Sequence, residues 1–168
     1  MIQLRTILVP VDFSPFSERA LNTACSLAET FGSEIHLLYV KDAFSCIFPE
    51  VGMPTYGTGE FLAHQAEIAN DRLSALPGKQ REGDLQIVRQ IRDGTPYAEI
   101  INYAGEESVD LIVIGTHGRS GLDHVLLGSV ATHVVRESPC PVMTVRGIAS
   151  DFHGADEESD HEHSTVSD

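Results

Sequence analysis

Basic residues are scarce in this sequence. Only 11 of 168 residues are Lys or Arg, against 25 Asp or Glu, giving a net charge of −14. All 11 lie at or before Arg146, and seven of the acids follow Gly147, so body and tail each carry −7. Such a balance argues against nucleic acid or an anionic membrane surface as the main partner. Any anion the protein holds must be held by local geometry. Cysteine is scarce too. Cys25, Cys46 and Cys140 are odd in number and widely spaced, which excludes a disulfide framework and suits reduced thiols in the cytoplasm. Long apolar runs are missing. "MIQLRTILVPVDF" is too short in its apolar part for a signal peptide, and no run approaches membrane-spanning length. A cytoplasmic location is expected.

What is present suits one globular domain with a tail. A domain of about 150 residues buries roughly 70% of the surface of its unfolded chain, so one core suffices without disulfide or metal. The chain alternates short apolar runs with longer amphipathic segments. "TILVPVD" (Thr6 to Asp12), "EIHLLYV" (Glu34 to Val40) and "DLIVIG" (Asp110 to Gly115) read as strands buried on both faces. "LQIVRQI" is a weaker strand, and "CPVMTVR" (Cys140 to Arg146) the last. Between them lie four helical patterns. The first has Ser14 as N-cap, Pro15 at the first helical position and Gly32 as the stop. "GEFLAHQAEIANDRLSAL" is the second, and "PYAEIINYAGEES", capped by Thr95, the third. "SVATHVVRES" is the fourth. Five strands alternating with four helices predict an α/β fold: an open, mostly parallel Rossmann-like sheet with helices on both faces. Ligands in such sheets sit beyond the carboxyl ends of the strands, where strand order reverses. The loops starting at Asp12, Lys41 and Thr116 should therefore share one edge.

"GTHGRSGLDHVLLGS" (115 to 129) is the most specific stretch. Gly115 and Gly118 can turn backbone N–H groups inward and let a ligand approach closely. Gly128 and Ser129 stand at the start of the fourth helix, where unsatisfied N–H groups favour an anion. Arg119 adds a permanent charge. The set suits a di- or triphosphate, although spacing alone is equally compatible with a glycine-rich βα turn with Ser129 as N-cap. No Gly-Lys-Ser/Thr occurs, so there is no Walker A loop. The first strand is followed by "DFSPFS", not the Rossmann glycine pattern, and "GRSGL" misses the spacing of a hydrolase nucleophile elbow. Asp12, at a strand's carboxyl end, is readable as an acceptor for ribose hydroxyls or an exocyclic amine, or as an Asx-turn before the helix.

The spacing Gly-x2-Gly-x9-Gly-Ser, with "ILVPVDFS" at the start and "CPVMTV" at the end, resembles the universal stress protein family over about residues 3 to 146. The resemblance implies a five-stranded parallel sheet, a homodimer through the last strand (Pro141 to Val145), and, because the full motif is present, the ATP-binding branch. It implies that Gly115, Gly118, Gly128 and Ser129 take the phosphate and ribose positions, with Val130 following on the helix. It further implies that Asp12 contacts the adenosine part, that Val40 reads the adenine through its backbone, and that Pro10 and Val11 line the base pocket. Arg119 occupies a loop position that varies in the family. ATP, with Mg2+ held largely by its phosphates, is the expected cofactor. A regulatory nucleotide-binding protein of the stress response is thus the leading expectation. The alternatives are a nucleotide-free interaction module and a slow ATPase or autophosphorylating protein.

Other features are weaker. His117 and His124 lack the carboxylate-histidine spacing of a metal site and read as solvent-exposed loop residues. No general base or nucleophile is identifiable, so binding ranks ahead of catalysis. The segment from Asp42 to Gly59 is long and apolar for a connection, readable as a lid over the nucleotide edge or as a packed surface patch. The domain is expected to span 1–147. The tail, 148–168, is acidic and nearly devoid of apolar residues, and is expected to be disordered; His153, His161 and His163 offer at most weak metal chelation.

Overall fold

The computed structural model describes residues 3–42, 58–78, 85–116 and 127–146. The middle of the connection after Asp42, the loop residues His117, Gly118, Arg119 and His124, and the acidic tail lie outside the described residues. The readings placed on them stay expectations. The elements follow in the order β1 (Thr6–Pro10), α1 (Pro15–Phe31), β2 (Glu34–Lys41), α2 (Thr58–Ser74), β3 (Ile87–Asp93), α3 (Pro96–Glu106), β4 (Leu111–Gly115), α4 (Ser129–Glu137) and β5 (Val142–Val145). The strands form one sheet in the order β3-β2-β1-β4-β5, and every pairing is parallel. No helix among the described residues is long and apolar enough to cross a membrane.

Strand periodicity divides the core in two. Ile7, Val9 and Val11 point to one face with Ile35, Leu37 and Val113, and pack against Ala20, Leu21, Ala24 and Ala28 of α1 and Leu73 of α2. Leu8, Leu38, Ile112 and Ile114 point to the other face, against Ile100, Tyr103 and Ala104 of α3 and Ala131 and Val134 of α4. Burial on both faces explains why β1 reads as an unbroken apolar run. Two strands depart from that pattern because they are edges. β3 is only half-buried, and β5 leaves Met143 and Thr144 exposed.

Helix α1 begins and ends on the predicted residues. The Ser14 side chain accepts from Ser17 N, and Gly32, at φ 67°, donates its N–H to Ala28 O. A hydroxyl cap of this kind contributes about 1 kcal/mol. Thr95 does occupy the N-cap position of α3, but its hydroxyl makes no capping bond. Its carbonyl alone serves the first turn, accepting from Glu99 N at 3.1 Å. β1 stops at Pro10, two residues earlier than its apolar run suggests. Val11 N still bonds Leu38 O at 2.9 Å, but Asp12 turns its backbone and side chain toward α1.

One polar pair is sealed inside the α3 face. The Tyr103 hydroxyl lies 2.8 Å from His36 Nδ1, and His36 Nε2 lies 3.3 Å from the Glu34 carboxylate. A proton on Nε2, donated to Glu34, leaves Nδ1 to accept from the phenol. Burial pushes the Tyr103 phenol up from its ordinary 10.0 to about 12. Tyr103→Phe leaves His36 Nδ1 without this partner, and should lower stability by about 1–3 kcal/mol in urea unfolding at neutral pH. The phenol binds its proton more tightly in the folded state. Its contribution is therefore complete below pH 10 and is lost as pH rises toward about 12. Wild type should lose stability across that window more steeply than Tyr103→Phe.

Candidate nucleotide-binding edge

Sheet order creates the place where a ligand can sit. From β1 the chain moves to β2 on one side, and from β4 to β5 on the other, so the crevice between β1 and β4 is the switch point. The β1–β4 register pairs Ile7 with Leu111 and Leu8 with Ile112; continued upward it brings Asp12 level with Thr116. The two predicted arms of the site, Asp12 and the glycine loop, therefore leave the sheet side by side.

Asp12 is held firmly. Its Oδ1 accepts from Ser14 N at 3.0 Å and from the Ser14 hydroxyl at 2.6 Å, while Asp12 N faces Ser17 Oγ at 3.4 Å. The Asx-turn reading of this residue is thus correct as local structure, and it presents a half-buried carboxylate at the sheet edge.

Val40 gains its meaning from strand lengths. Leu38 O accepts from Val11 N on the β1 side, and Lys41 O accepts from Gly94 N on the β3 side. Alternation along the strand therefore aims the Val40 N–H and C=O toward the β1 side. Since β1 ends level with Leu38, those two groups point past its end into the crevice. The side chains of Val40 and Val130 both pack on the α3–α4 core. Pro10 is buried at the top of β1. The Val11 side chain belongs to the opposite, α1–α2 core, so it does not join the Val40 side chain around a common pocket.

The start of α4 has the features of an anion site. Gly128, not Ser129, occupies the N-cap position, with φ −63° and ψ 162°, and among the described residues no side chain caps the helix. The reading of Ser129 as a plain N-cap is corrected: it is the first helical residue, and it is exposed. Its hydroxyl and the first-turn N–H groups stand at the positive end of the helix dipole. Gly128 N donates to Thr116 O at 2.7 Å, so the two residues that flank the glycine loop among the described residues are held together. Gly115 also has a packing role. A Cβ there would lie 2.9 Å from the Phe16 backbone carbon and oxygen, so this glycine lets the first turn of α1 press against the end of β4. Among the described residues no group of three or more His, Cys, Asp or Glu could hold a metal ion.

Sequence reasoning missed Phe13. It has φ 65°, a left-handed conformation that costs a non-glycine residue about 1–2 kcal/mol. Its ring centroid lies 4.8 Å from that of Tyr39, and the Arg72 guanidinium carbon sits 4.3 Å from it. An aromatic pair contributes about 0.5–1.5 kcal/mol, and an exposed cation–π contact about 0.5–1 kcal/mol. Together they offset the strain. A cleft of about 280 Å³ opens beside this ring, between the first turn of α1 and the end of α2. Its Ser14 and Ser17 hydroxyls are already committed to Asp12 and the helix cap, whereas the first turn of α4 has no side-chain cap among the described residues. The α4 end is therefore the better anion site.

The model of the family described as "Universal stress protein family" matches residues 3–146. The chain belongs to the universal stress protein family. Among its relatives, universal stress protein MJ0531 of Methanocaldococcus jannaschii is 34% identical over 143 residues, covering 84% of this chain and 82% of that one. The solved structure of MJ0577, studied to assign a biochemical function from structure, superposes with a TM-score of 0.76 at 28% identity, covering 88% of this universal stress protein and 99% of MJ0577. A universal stress protein of Archaeoglobus fulgidus, solved in complex with dAMP, shares the fold with a TM-score of 0.55 at 21% identity, covering 86% and 98% of the two chains. The five-stranded parallel architecture is common to this universal stress protein and MJ0577.

The close approach at Gly115 can be measured directly. Gly115→Ala must push α1 from β4, and overpacking of this kind costs about 1–3 kcal/mol. A lowered urea midpoint with an unchanged slope is the expected result; wild-type stability would show that α1 shifts freely.

Proposed function

We propose that this universal stress protein binds ATP at the β1–β4 crevice and acts as a regulatory nucleotide-binding homodimer. The observation that carries the reading is the convergence, on one sheet edge, of three complementary groups. These are the Asp12 carboxylate, the outward-facing backbone of Val40, and the start of α4, whose N-cap is a glycine. An adenine nucleotide needs that combination: acceptors for ribose hydroxyls, a backbone edge for the base, and N–H donors for phosphate. In this reading Val40 addresses the base beside Pro10 and the backbone of Val11, whose side chain lies on the other face, Asp12 the ribose, and Ser129, Gly128 and the α4 amides the phosphates. Gly118 and Arg119 extend the phosphate arm, and Val130 supports the helix start from the core. These residues fit the group, because the first turn of α4 brings N–H donors and an exposed hydroxyl but no negative charge. Magnesium, held largely by the phosphates, would neutralise part of their charge. A protein with the same fold is solved in complex with dAMP, which is in keeping with an adenine nucleotide as the ligand.

Freshly purified protein, denatured and analysed by mass spectrometry, should release ATP. Wild type should also bind added ATP, and Gly118→Val or Asp12→Ala should abolish binding without unfolding the domain. No binding at millimolar ATP would sink the nucleotide reading and leave an interaction module of the same fold.

The homodimer rests on β5. This four-residue edge strand carries exposed Met143 beside a backbone edge that pairs with no other strand among the described residues, and a twofold partner strand would cover it. Light scattering at micromolar concentration should give twice the 18.3 kDa chain mass. A monomer mass counts against the pairing.

A further inference from the structure

Phe13 stands beside Asp12 in a conformation that its own side chain opposes. At φ 65° the Cβ crowds the following carbonyl, and only glycine adopts this region freely. The turn is built with it: in this conformation the chain reverses at Phe13, and Ser14 N and Oγ both reach Asp12 Oδ1, at 3.0 and 2.6 Å. What stabilises the reversal is the ring, which packs on Tyr39 of β2 and lies under the Arg72 guanidinium in the last turn of α2. Tyr39 immediately precedes Val40. The same ring therefore ties the Asp12 turn to the end of the strand whose backbone faces the crevice.

We propose that Phe13 is a positioning residue for the nucleotide edge: its ring, clamped between Tyr39 and Arg72, holds the β1–α1 turn in the left-handed conformation that presents Asp12. The proposal rests on the nucleotide reading for its ligand, while the clamp itself can be tested without one. Phe13 acts only through Asp12. Its ring faces the α1–α2 cleft and not the start of α4.

Two substitutions separate the ring from the strain. Phe13→Ala keeps a Cβ at positive φ and removes the clamp; Phe13→Gly removes the clamp and the strain together. The first readout is hydrogen exchange of the Ser14 amide, whose N–H is held by Asp12; the second is the Kd for ATP. Phe13→Ala should raise both the exchange rate and the Kd about 10-fold, and Phe13→Gly should recover both to within about 3-fold of wild type. In an Asp12→Asn background, Phe13→Ala should weaken ATP binding no further, since the two residues act as one unit. Unchanged Ser14 exchange in a folded Phe13→Ala protein overturns the proposal. So do equal losses in the Ala and Gly variants, or additive losses with Asp12→Asn. Should Phe13→Ala fail to fold, Arg72→Gln and Tyr39→Leu loosen the clamp from outside the turn and must speed Ser14 exchange. If wild type binds no ATP, the nucleotide reading falls, and Ser14 exchange alone still decides the clamp.

Discussion

β1 is hydrogen-bonded to β2 along one edge and to β4 along the other, and both of its faces are covered by helices. Parallel strands so placed cannot be joined by short turns. Each connection must run over a face and return, and right-handed crossovers put α1 and α2 on one face, α3 and α4 on the other. The strand order reverses at β1 for the same reason. A crevice at the top of β1 and β4 is thus a consequence of topology, and it exists before any residue is chosen to line it.

The residues at that crevice convert a generic gap into one with a defined chemistry. Asp12 does two jobs at once: it anchors Ser14, which caps α1, and it sets a carboxylate at the edge. Local order and site geometry are therefore inseparable there. Gly115 works from beneath, because only a residue without Cβ allows the Phe16 backbone to lie against the end of β4. Its contribution is to bring α1, and with it the Asp12 turn, close to the end of β4. A glycine expected at the ligand is also a packing contact between a strand and a helix.

The His36–Tyr103 pair shows the same economy on the other face. A histidine in the middle of a buried strand needs partners for both ring nitrogens, and α3 and Glu34 supply them. That pair fixes α3 on β2, and α3 in turn packs α4, whose first turn is the proposed phosphate arm. The polar interior is thus coupled to the site through helix packing, without sharing any residue with it.

Much of this was legible in the sequence, for a physical reason. Strands buried on both faces leave unbroken apolar runs, helices between them leave a 3.6-residue rhythm, and the α1 caps are written as Ser14-Pro15 and Gly32. These are local signals, set by solvent and backbone chemistry within a few residues. They sufficed for five strands, four helices, the shared edge and the positions of Asp12 and the α4 start. Other properties depend on contacts between distant segments. The Gly115–Phe16 approach, the direction of the Val40 backbone past a strand that ends early, and the bare N-cap of α4 required the strands to be paired first. Phe13 is the sharpest case. Nothing in "VDFSP" announces a left-handed phenylalanine, because the ring contacts that offset its strain come from Tyr39 and Arg72, on segments 26 and 59 residues away. The sequence by itself determined the sheet and its edge, while only tertiary packing decided which groups at that edge are aimed outward, since that direction is set by neighbours brought together by folding.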